Sequence, residues 1–344
     1  MQTIQGYVAG ANLGHWISQY GKKGREHFDT YITERDIARM KRWGLDHVRV
    51  PVDYFLFESD DLPGVYREEG LFYVDAVLSW CKKHGLNMIL DLHHAPGFFF
   101  GNGERNDLFT SRASQERFLA IWQMFARRYA AEGDGLMFEL LNELVWDSAE
   151  PWNALWREAK EVIHAECPHR RIIVGGNHYN SVLELNNLYV DPDDRIFYTF
   201  HMYEPFIFTH QRAPWMDFTR RYRKAVSYPF RVEDHMAFFG EEIPHILAPY
   251  RVIDRTFIED FLSAAVDFSR RTGKALYCGE YGVISYAHSA SAVRWLEDIA
   301  DVLTANGMGR AVWSYRGFAA ITTPSGRRYN RDMVRAISRK EPRN

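Results

Sequence analysis

The chain has few cysteines, no excess of one charge and no long apolar runs, and each shortage removes a class of protein. Its three cysteines, Cys81, Cys167 and Cys278, are odd in number and match neither a CxxC pair nor a disulfide framework. They read as small buried hydrophobes, compatible with a reducing compartment. Lys and Arg total 42 against 45 Asp and Glu, a formal net charge of −3, and the basic residues are scattered. Lacking a basic stripe to track phosphates, the chain is not expected to bind nucleic acid. No apolar run approaches the roughly 20 residues of a spanning helix. The N-terminal Met-Gln-Thr-Ile-Gln-Gly-Tyr-Val has neither the basic start nor the apolar stretch of a signal peptide. The expectation is a monomer without membrane association, either cytoplasmic or secreted after loss of a leader. Internal repeats, low-complexity tracts and interdomain linkers are also missing.

Aromatic residues, by contrast, are abundant. Twenty-three Phe, 19 Tyr and 10 Trp make up 15% of the 344 residues. That exceeds what one core of this size requires, so some should line a surface or cleft, where stacking on sugar rings is one use.

Along the chain a short apolar run is repeatedly followed by a longer helical pattern. Runs rich in β-branched and aromatic residues predict strands at Tyr7–Leu13, Leu45–Pro51, Asn87–His93, Leu136–Asn142, Arg171–Gly176, Ile196–His201, Ala275–Glu280 and Arg310–Trp313. Apolar residues at three- and four-residue steps predict helices over Thr33–Trp43, Phe72–Lys83, Gln115–Ala131, Trp152–Ala165, Thr256–Arg271 and Ala290–Leu303. Thr33 with Asp36 reads as a capping box, and Gly44 and Gly85 as residues just past helix ends. Eight strands alternating with helices predict an α/β fold, a (β/α)₈ TIM barrel, as a single domain over residues 1–344. The interval between His201 and Thr256 is too long and proline-rich for a plain βα loop. Residues 204–254 or so are read as a subdomain inserted after strand six, over the active-site face.

The most informative feature is what ends each strand. Arg49, His93 with His94, Asn142-Glu143, His201 with Tyr203, Glu280 and Trp313 all fall at C-terminal strand ends. In a barrel these ends converge on the one face where active sites are built. Any single one of them could be merely solvated; polar groups at six ends are hard to explain as accidents. Two are carboxylates after buried-looking strands, Glu143 and Glu280, and glycosidic cleavage needs such a pair. A zinc site at His93-His94 is disfavoured because adjacent strand residues point to opposite faces. His94 is read instead as packed outside the mouth. The string His164-Ala165-Glu166-Cys167-Pro168-His169 superficially matches a zinc-deaminase element, but no P-C-x-x-C follows it. No metal or cofactor is expected.

The strings His47-Val48-Arg49-Val50-Pro51, Asp91-Leu92-His93-His94-Ala95-Pro96-Gly97, Leu141-Asn142-Glu143, Phe200-His201-Met202-Tyr203 and Gly279-Glu280-Tyr281-Gly282 resemble glycoside hydrolase family 5, in clan A. Trp16-Ile17-Ser18-Gln19-Tyr20, Glu26-His27-Phe28-Asp29-Thr30, Phe208-Thr209-His210-Gln211 and Tyr277-Cys278-Gly279-Glu280 narrow the likeness to small single-module endoglucanases of the cellulase C type. The resemblance implies Glu143 as general acid/base and Glu280 as nucleophile, with Arg49 and Tyr203 hydrogen-bonding Glu280 and Arg49 holding its pKa down. It also implies Asn142 on the sugar 2-hydroxyl, His93 and His201 around the cleaved sugar and the acid/base, and Trp313 as a platform under that sugar. Phe98, Phe99, Phe100, Trp146, Phe206, Phe208 and Trp215 are candidate subsite walls, or packing for the insertion. Where the resembled proteins carry Gly-Gly-Trp after strand one, this chain has Gly14-His15-Trp16, so His15, like Arg316 in the strand-eight loop, could narrow the cleft.

The function implied is retaining endo-β-1,4-glucanase action on soluble cellulose, mixed-linkage glucan and cello-oligosaccharides. The alternatives are an exo-acting β-glucosidase or β-1,3-glucanase, or a β-mannanase, on the same residues, and, from another class, an inactive sugar-binding barrel.

Overall fold

The computed structural model describes residues 3–99, 106–239 and 245–342. In chain order its strands are β1 (Ala9–Asn12), β2 (His47–Asp53), β3 (Asn87–His94), β4 (Leu136–Glu139), β5 (Arg171–Gly175), β6 (Ile196–Met202), β7 (Phe230–Arg231), β8 (Val252–Ile253), β9 (Leu276–Tyr281) and β10 (Gly309–Val312). All but β7 and β8 close into one barrel in the order β1-β2-β3-β4-β5-β6-β9-β10, with β10 returning to β1, and every pair in it is parallel. Helices Glu34–Arg42, Glu68–His84, Arg112–Arg128, Glu150–Glu166, Arg255–Thr272 and Ser289–Ala305 lie where the periodicity predicts them. The reciprocal Thr33/Asp36 cap is formed, and Gly85 caps its helix in the left-handed region at φ 67°. Between β5 and β6 the connection is only the short turn Asn177–Asn180 and the 3₁₀ segment Val182–Asn187. Residues 204–254 hold short helices and the antiparallel β7–β8 pair. Phe208, Tyr228, Phe230 and Ile253 from this segment join the main apolar core. Among the described residues no helix is long and apolar enough to cross a membrane.

Two-residue alternation sorts the barrel residues into two separate cores. Val48, Val50, Leu90, Leu92, Phe138, Val174, Phe200 and Cys278 face the helices. Tyr7, Ile89, Met137, Ile173, Tyr277 and Ala311 fill the lower barrel interior. Two residues further along β2, β3 and β4, the same inward phase brings Arg49, Asp91 and Glu139, all fully buried. The interior is therefore an apolar plug with a charged layer on top, and the site stands on that layer.

Two strands end more than one residue away from the prediction. Strand β2 continues through Pro51 to Asp53. Pairing with β1 stops at Asn12–Arg49, so the missing proline N–H costs no ladder bond on that side. Strand β4 stops at Glu139, three residues before the predicted Asn142.

Candidate active site

Arg49 is the hub of the charged layer. Its guanidinium donates from Nε and Nη2 to the two oxygens of Glu139 at 2.7 and 2.9 Å, a bidentate pair, and Nη2 also lies 3.0 Å from Asp91 Oδ2. The same side chain donates to Asn12 Oδ1, Asn142 Oδ1 and Glu280 Oε1 at 2.8–2.9 Å. One cation thus serves three buried carboxylates. Burial pushes the Asp91 carboxyl up to about 7 and raises that of Glu139, with Arg49 opposing both shifts. Ion-pair partner and neighbour of Glu280 are therefore two roles of one residue.

Glu280 and Glu143 come together across the mouth. A carboxylate oxygen of each and a ring nitrogen of His201 lie within 4.8 Å of one another. Strand irregularities make this possible. In register, Phe200 pairs with Cys278 but His201 pairs with Glu280, so a bulge at Gly279 turns Glu280 inward out of the phase set by Tyr277. A Cβ on Gly279 would come within 2.9 Å of Thr199 Oγ1 and 3.0 Å of His201 Nε2. The early end of β4 does the equivalent for the other carboxylate. Asn142 donates its backbone N–H to Leu92, and Glu143 adopts φ 44°, a left-handed conformation unfavourable for a side-chain-bearing residue. Neighbours that a regular strand would point apart can then both serve the site.

Each carboxylate has its own partners. Glu280 accepts from Arg49 at Oε1 and from the Tyr203 hydroxyl at Oε2, both at 2.8 Å. Glu143 Oε1 lies 2.8 Å from His201 Nδ1, and Asn180 Nδ2 lies 3.2 Å from His201 Nε2. Burial pulls His201 down to about 4, so the ring is neutral at pH 7. With Asn180 donating to Nε2, the ring proton sits on Nδ1 and is donated to Glu143. Burial raises the carboxyl of Glu143 to about 8 and that of Glu280 to about 7. Arg49 pulls the Glu280 carboxyl down, as the resemblance implies. The Tyr203 hydrogen bond lowers it too, but burial outweighs both and leaves the carboxyl raised.

Asn142 is fully buried, and with its Oδ1 held by Arg49, its Nδ2 has no partner among the described residues. His93 Nδ1 lies 2.8 Å from Asp91, and its ring stacks near-parallel on Trp313 with centroids 5.6 Å apart. His15, at φ 62°, stands edge-on to Trp313, with ring centroids 5.8 Å apart. Gly14 has to be glycine here, because a Cβ would lie 2.8 Å from the Trp313 ring.

The outer residues divide. Phe98 and Phe208 are fully buried and pack the core, so neither walls a subsite. Arg316 is also withdrawn from the cleft: it donates to the backbone oxygens of Tyr31 and Ser325 and lies over the Tyr31 ring. Phe99, Trp146 and Phe206 are half-buried and Trp215 is 56% exposed. Phe100 lies outside the described residues. His94 is bonded to Asp53 at 2.6 Å and His93 to Asp91, so the two rings serve different carboxylates. His164 and His169 lie against the backbone oxygens of Arg170 and Glu132.

Asn12, Asp91, Glu139, Asn177 and Asn180 take part without having been singled out. Asn177 holds both the N–H and the carbonyl of Trp146, clamping the loop that carries Glu143. Asp91 and Glu139 did leave a signal, since a lone charge inside an apolar strand requires a buried partner.

A parallel eight-strand barrel with two facing carboxylates at its mouth defines the class: a (β/α)₈ glycoside hydrolase. The particular family follows from comparison. Residues 11–319 match the model for cellulase, glycosyl hydrolase family 5, and the chain belongs to that family. It is 42% identical over 318 residues to endoglucanase C of Acetivibrio thermocellus, covering 90% of this chain and 91% of that one. It is 33% identical to cellodextrinase A of Ruminococcus flavefaciens, over 90% of this chain and 86% of the relative. The crystal structure of endoglucanase Cel5A from Thermotoga maritima superposes with a TM-score of 0.78 at 22% identity, over 97% of this chain and 98% of that one, which is a likeness of fold.

Proposed function

We propose that this protein is a retaining endo-β-1,4-glucanase that acts on soluble β-glucans by double displacement, with Glu280 as nucleophile and Glu143 as acid/base. The observation that carries this reading is the pair itself. One carboxylate oxygen of each lies within 4.8 Å of one of the other, a close approach that suits the short spacing of a retaining pair. The likeness to endoglucanase C and cellodextrinase A supports the β-1,4-glucan class of substrate.

In the first step Glu280 attacks the anomeric carbon while Glu143 protonates the departing glycosidic oxygen. Neutral His201 donates to Oε1 of Glu143, which leaves Oε2 to carry the transferable proton. Formation of the glycosyl ester removes the charge of Glu280, which lowers the pKa of Glu143 and fits it to take a proton from water in the second step. Asn142 Nδ2, unpartnered and buried, is suited to the sugar 2-hydroxyl, and Trp313 to the face of the same sugar. His15 is assigned to the rim beside that platform. We further take the chain as one catalytic barrel, with residues 204–254 covering part of its active-site face.

The test is the product profile on carboxymethyl cellulose, barley β-glucan, laminarin and galactomannan. A ladder of oligosaccharides from the first two is expected; glucose alone, or activity confined to laminarin or galactomannan, would overturn the endo-β-1,4 reading. For Glu143→Ala, turnover of unactivated cello-oligosaccharides should fall about 10²–10⁴-fold, while 2,4-dinitrophenyl cellobioside, whose leaving group needs little protonation, loses far less in its first step. The alkaline limb of kcat/KM, set by a carboxyl raised above the ordinary range, should disappear in Glu143→Gln. Equal losses on both substrates, or an unchanged alkaline limb, would remove Glu143 from the acid role.

A further inference from the structure

After β1 the sequence departs from the string it resembles, with Gly14-His15-Trp16 in place of Gly-Gly-Trp, and the surroundings of the added imidazole are informative. His15 holds φ 62°, in the left-handed region where glycine is the residue of least strain and a side chain costs free energy. The neighbouring chain is nonetheless shaped to receive its ring. Gly317, at φ 130°, leaves the space open: a Cβ there would come within 2.5 Å of His15 Cδ2 and 3.0 Å of Nε2. The ring also stands edge-on to Trp313, the indole assigned above to the face of the cleaved sugar. Segments after β1 and after β10, far apart in the chain, thus close on one imidazole. Strained residues fixed in this way by their surroundings cluster at functional sites.

The polar atoms of the ring are idle in the folded chain. His27 Nε2 lies 2.8 Å from the His15 carbonyl and 3.1 Å from that of Trp16, which pins the backbone. Neither ring nitrogen of the half-buried His15 has a hydrogen-bond partner among the described residues. Burial, with Lys23 and His27 nearby, lowers the imidazole pKa to about 4, so the ring is neutral at pH 7. A neutral imidazole offers one N–H donor and one bare acceptor. That pair suits a sugar hydroxyl, which both donates and accepts, and gives no advantage to a charged ligand.

Resting on the glucanase reading, we infer that His15 is a specificity-determining residue of this chain, whose free ring nitrogens bond a hydroxyl on the edge of the glucosyl unit lying on Trp313. The left-handed backbone holds the imidazole against that platform. The departure after β1 therefore tunes which sugar is accepted there and does not close the cleft.

The experiment pairs a change in the protein with a change in the sugar. Wild type and His15→Gly are compared on 2,4-dinitrophenyl β-cellobioside and on analogues whose glucosyl unit next to the leaving group lacks its 3- or its 6-hydroxyl. In wild type one of these deletions is expected to lower kcat/KM about fivefold to tenfold more than it does in His15→Gly, while the other costs both enzymes alike. The intrinsic reactivity of each deoxy sugar cancels in the comparison. Thermal unfolding of His15→Gly should begin no earlier than that of wild type, because glycine adopts φ 62° without strain. Equal penalties for both deletions in the two enzymes would show that His15 bonds no hydroxyl. A uniform loss of rate with a lowered unfolding midpoint would make it a packing residue; either result overturns the inference. Failure of the wild type to cut the parent cellobioside or any β-glucan would instead defeat the glucanase reading, before the deoxy sugars are compared.

Discussion

Glu280→Gln is expected to lower kcat on barley β-glucan by about 10⁴-fold or more while oligosaccharide binding persists. The amide is nearly isosteric: its oxygen can still accept from Arg49, and its NH2, which can only donate, can turn to the Tyr203 hydroxyl oxygen in place of the 2.8 Å bond it replaces, but it cannot form the glycosyl ester. Chemical rescue makes the result diagnostic. In Glu280→Ala, azide can enter the vacated space and displace an activated aryl leaving group from the face the carboxylate used, giving the α-glycosyl azide. In Glu143→Ala, azide instead attacks the glycosyl-enzyme and returns the β-glycosyl azide. The two configurations, read by NMR, separate nucleophile from acid/base. Near-normal turnover in Glu280→Gln, or a β-azide from Glu280→Ala, would sink the assignment.

The second large effect is on stability as well as rate. Arg49→Met removes the guanidinium that serves Asp91, Glu139 and Glu280 together in a buried layer. Uncompensated buried carboxylates of this kind cost about 3–5 kcal/mol, measurable as a lower urea midpoint. The loss depends on pH. The carboxyl of Asp91 is already raised from 3.8 to about 7, by burial that Arg49 opposes, so without Arg49 it rises further. A carboxyl whose folded pKa lies above its unfolded value binds more protons folded than unfolded, so the fold loses stability as pH climbs from the unfolded pKa through the folded one. Arg49→Met should therefore be closest to wild type near pH 5 and furthest from it near pH 8. Glu280, losing the same cation, should move the acid limb of kcat/KM to higher pH. A midpoint equal to that of wild type at both pH values would show that the charged layer needs no cation. Arg49→Lys should fall between, because an ammonium keeps the charge but cannot make the bidentate contact with Glu139.

The barrel was legible because its signals are local. Runs such as Asn87–His93 and Ile196–His201 carry strand propensity, and Thr33 with Asp36 and Gly85 punctuate helices within a few residues. The strand-end rule also grouped Arg49, Asn142, Glu143, His201, Tyr203 and Glu280 correctly at one mouth. Where it ran short, the deciding contacts join residues far apart in the chain. Arg316 sits at the right place in sequence to reach the cleft, yet it is bonded to Tyr31 and Ser325; Phe98 and Phe208 look like cleft aromatics, yet they fill the core.

Composition, periodicity and strand-end chemistry by themselves determined the barrel, its active face and the meeting there of Arg49, Asn142, Glu143, His201, Tyr203 and Glu280, since these follow from short-range propensity and from a fold that brings strand ends together. Only the tertiary structure decided how those residues are aimed and charged. The bulge at Gly279 and the left-handed Glu143 override the two-residue alternation that a strand would impose. The carboxyls of Glu143 and Glu280 are raised by burial, which Arg49 opposes on each and the Tyr203 hydrogen bond opposes on Glu280. Both depend on a three-dimensional arrangement, and no window of sequence contains it.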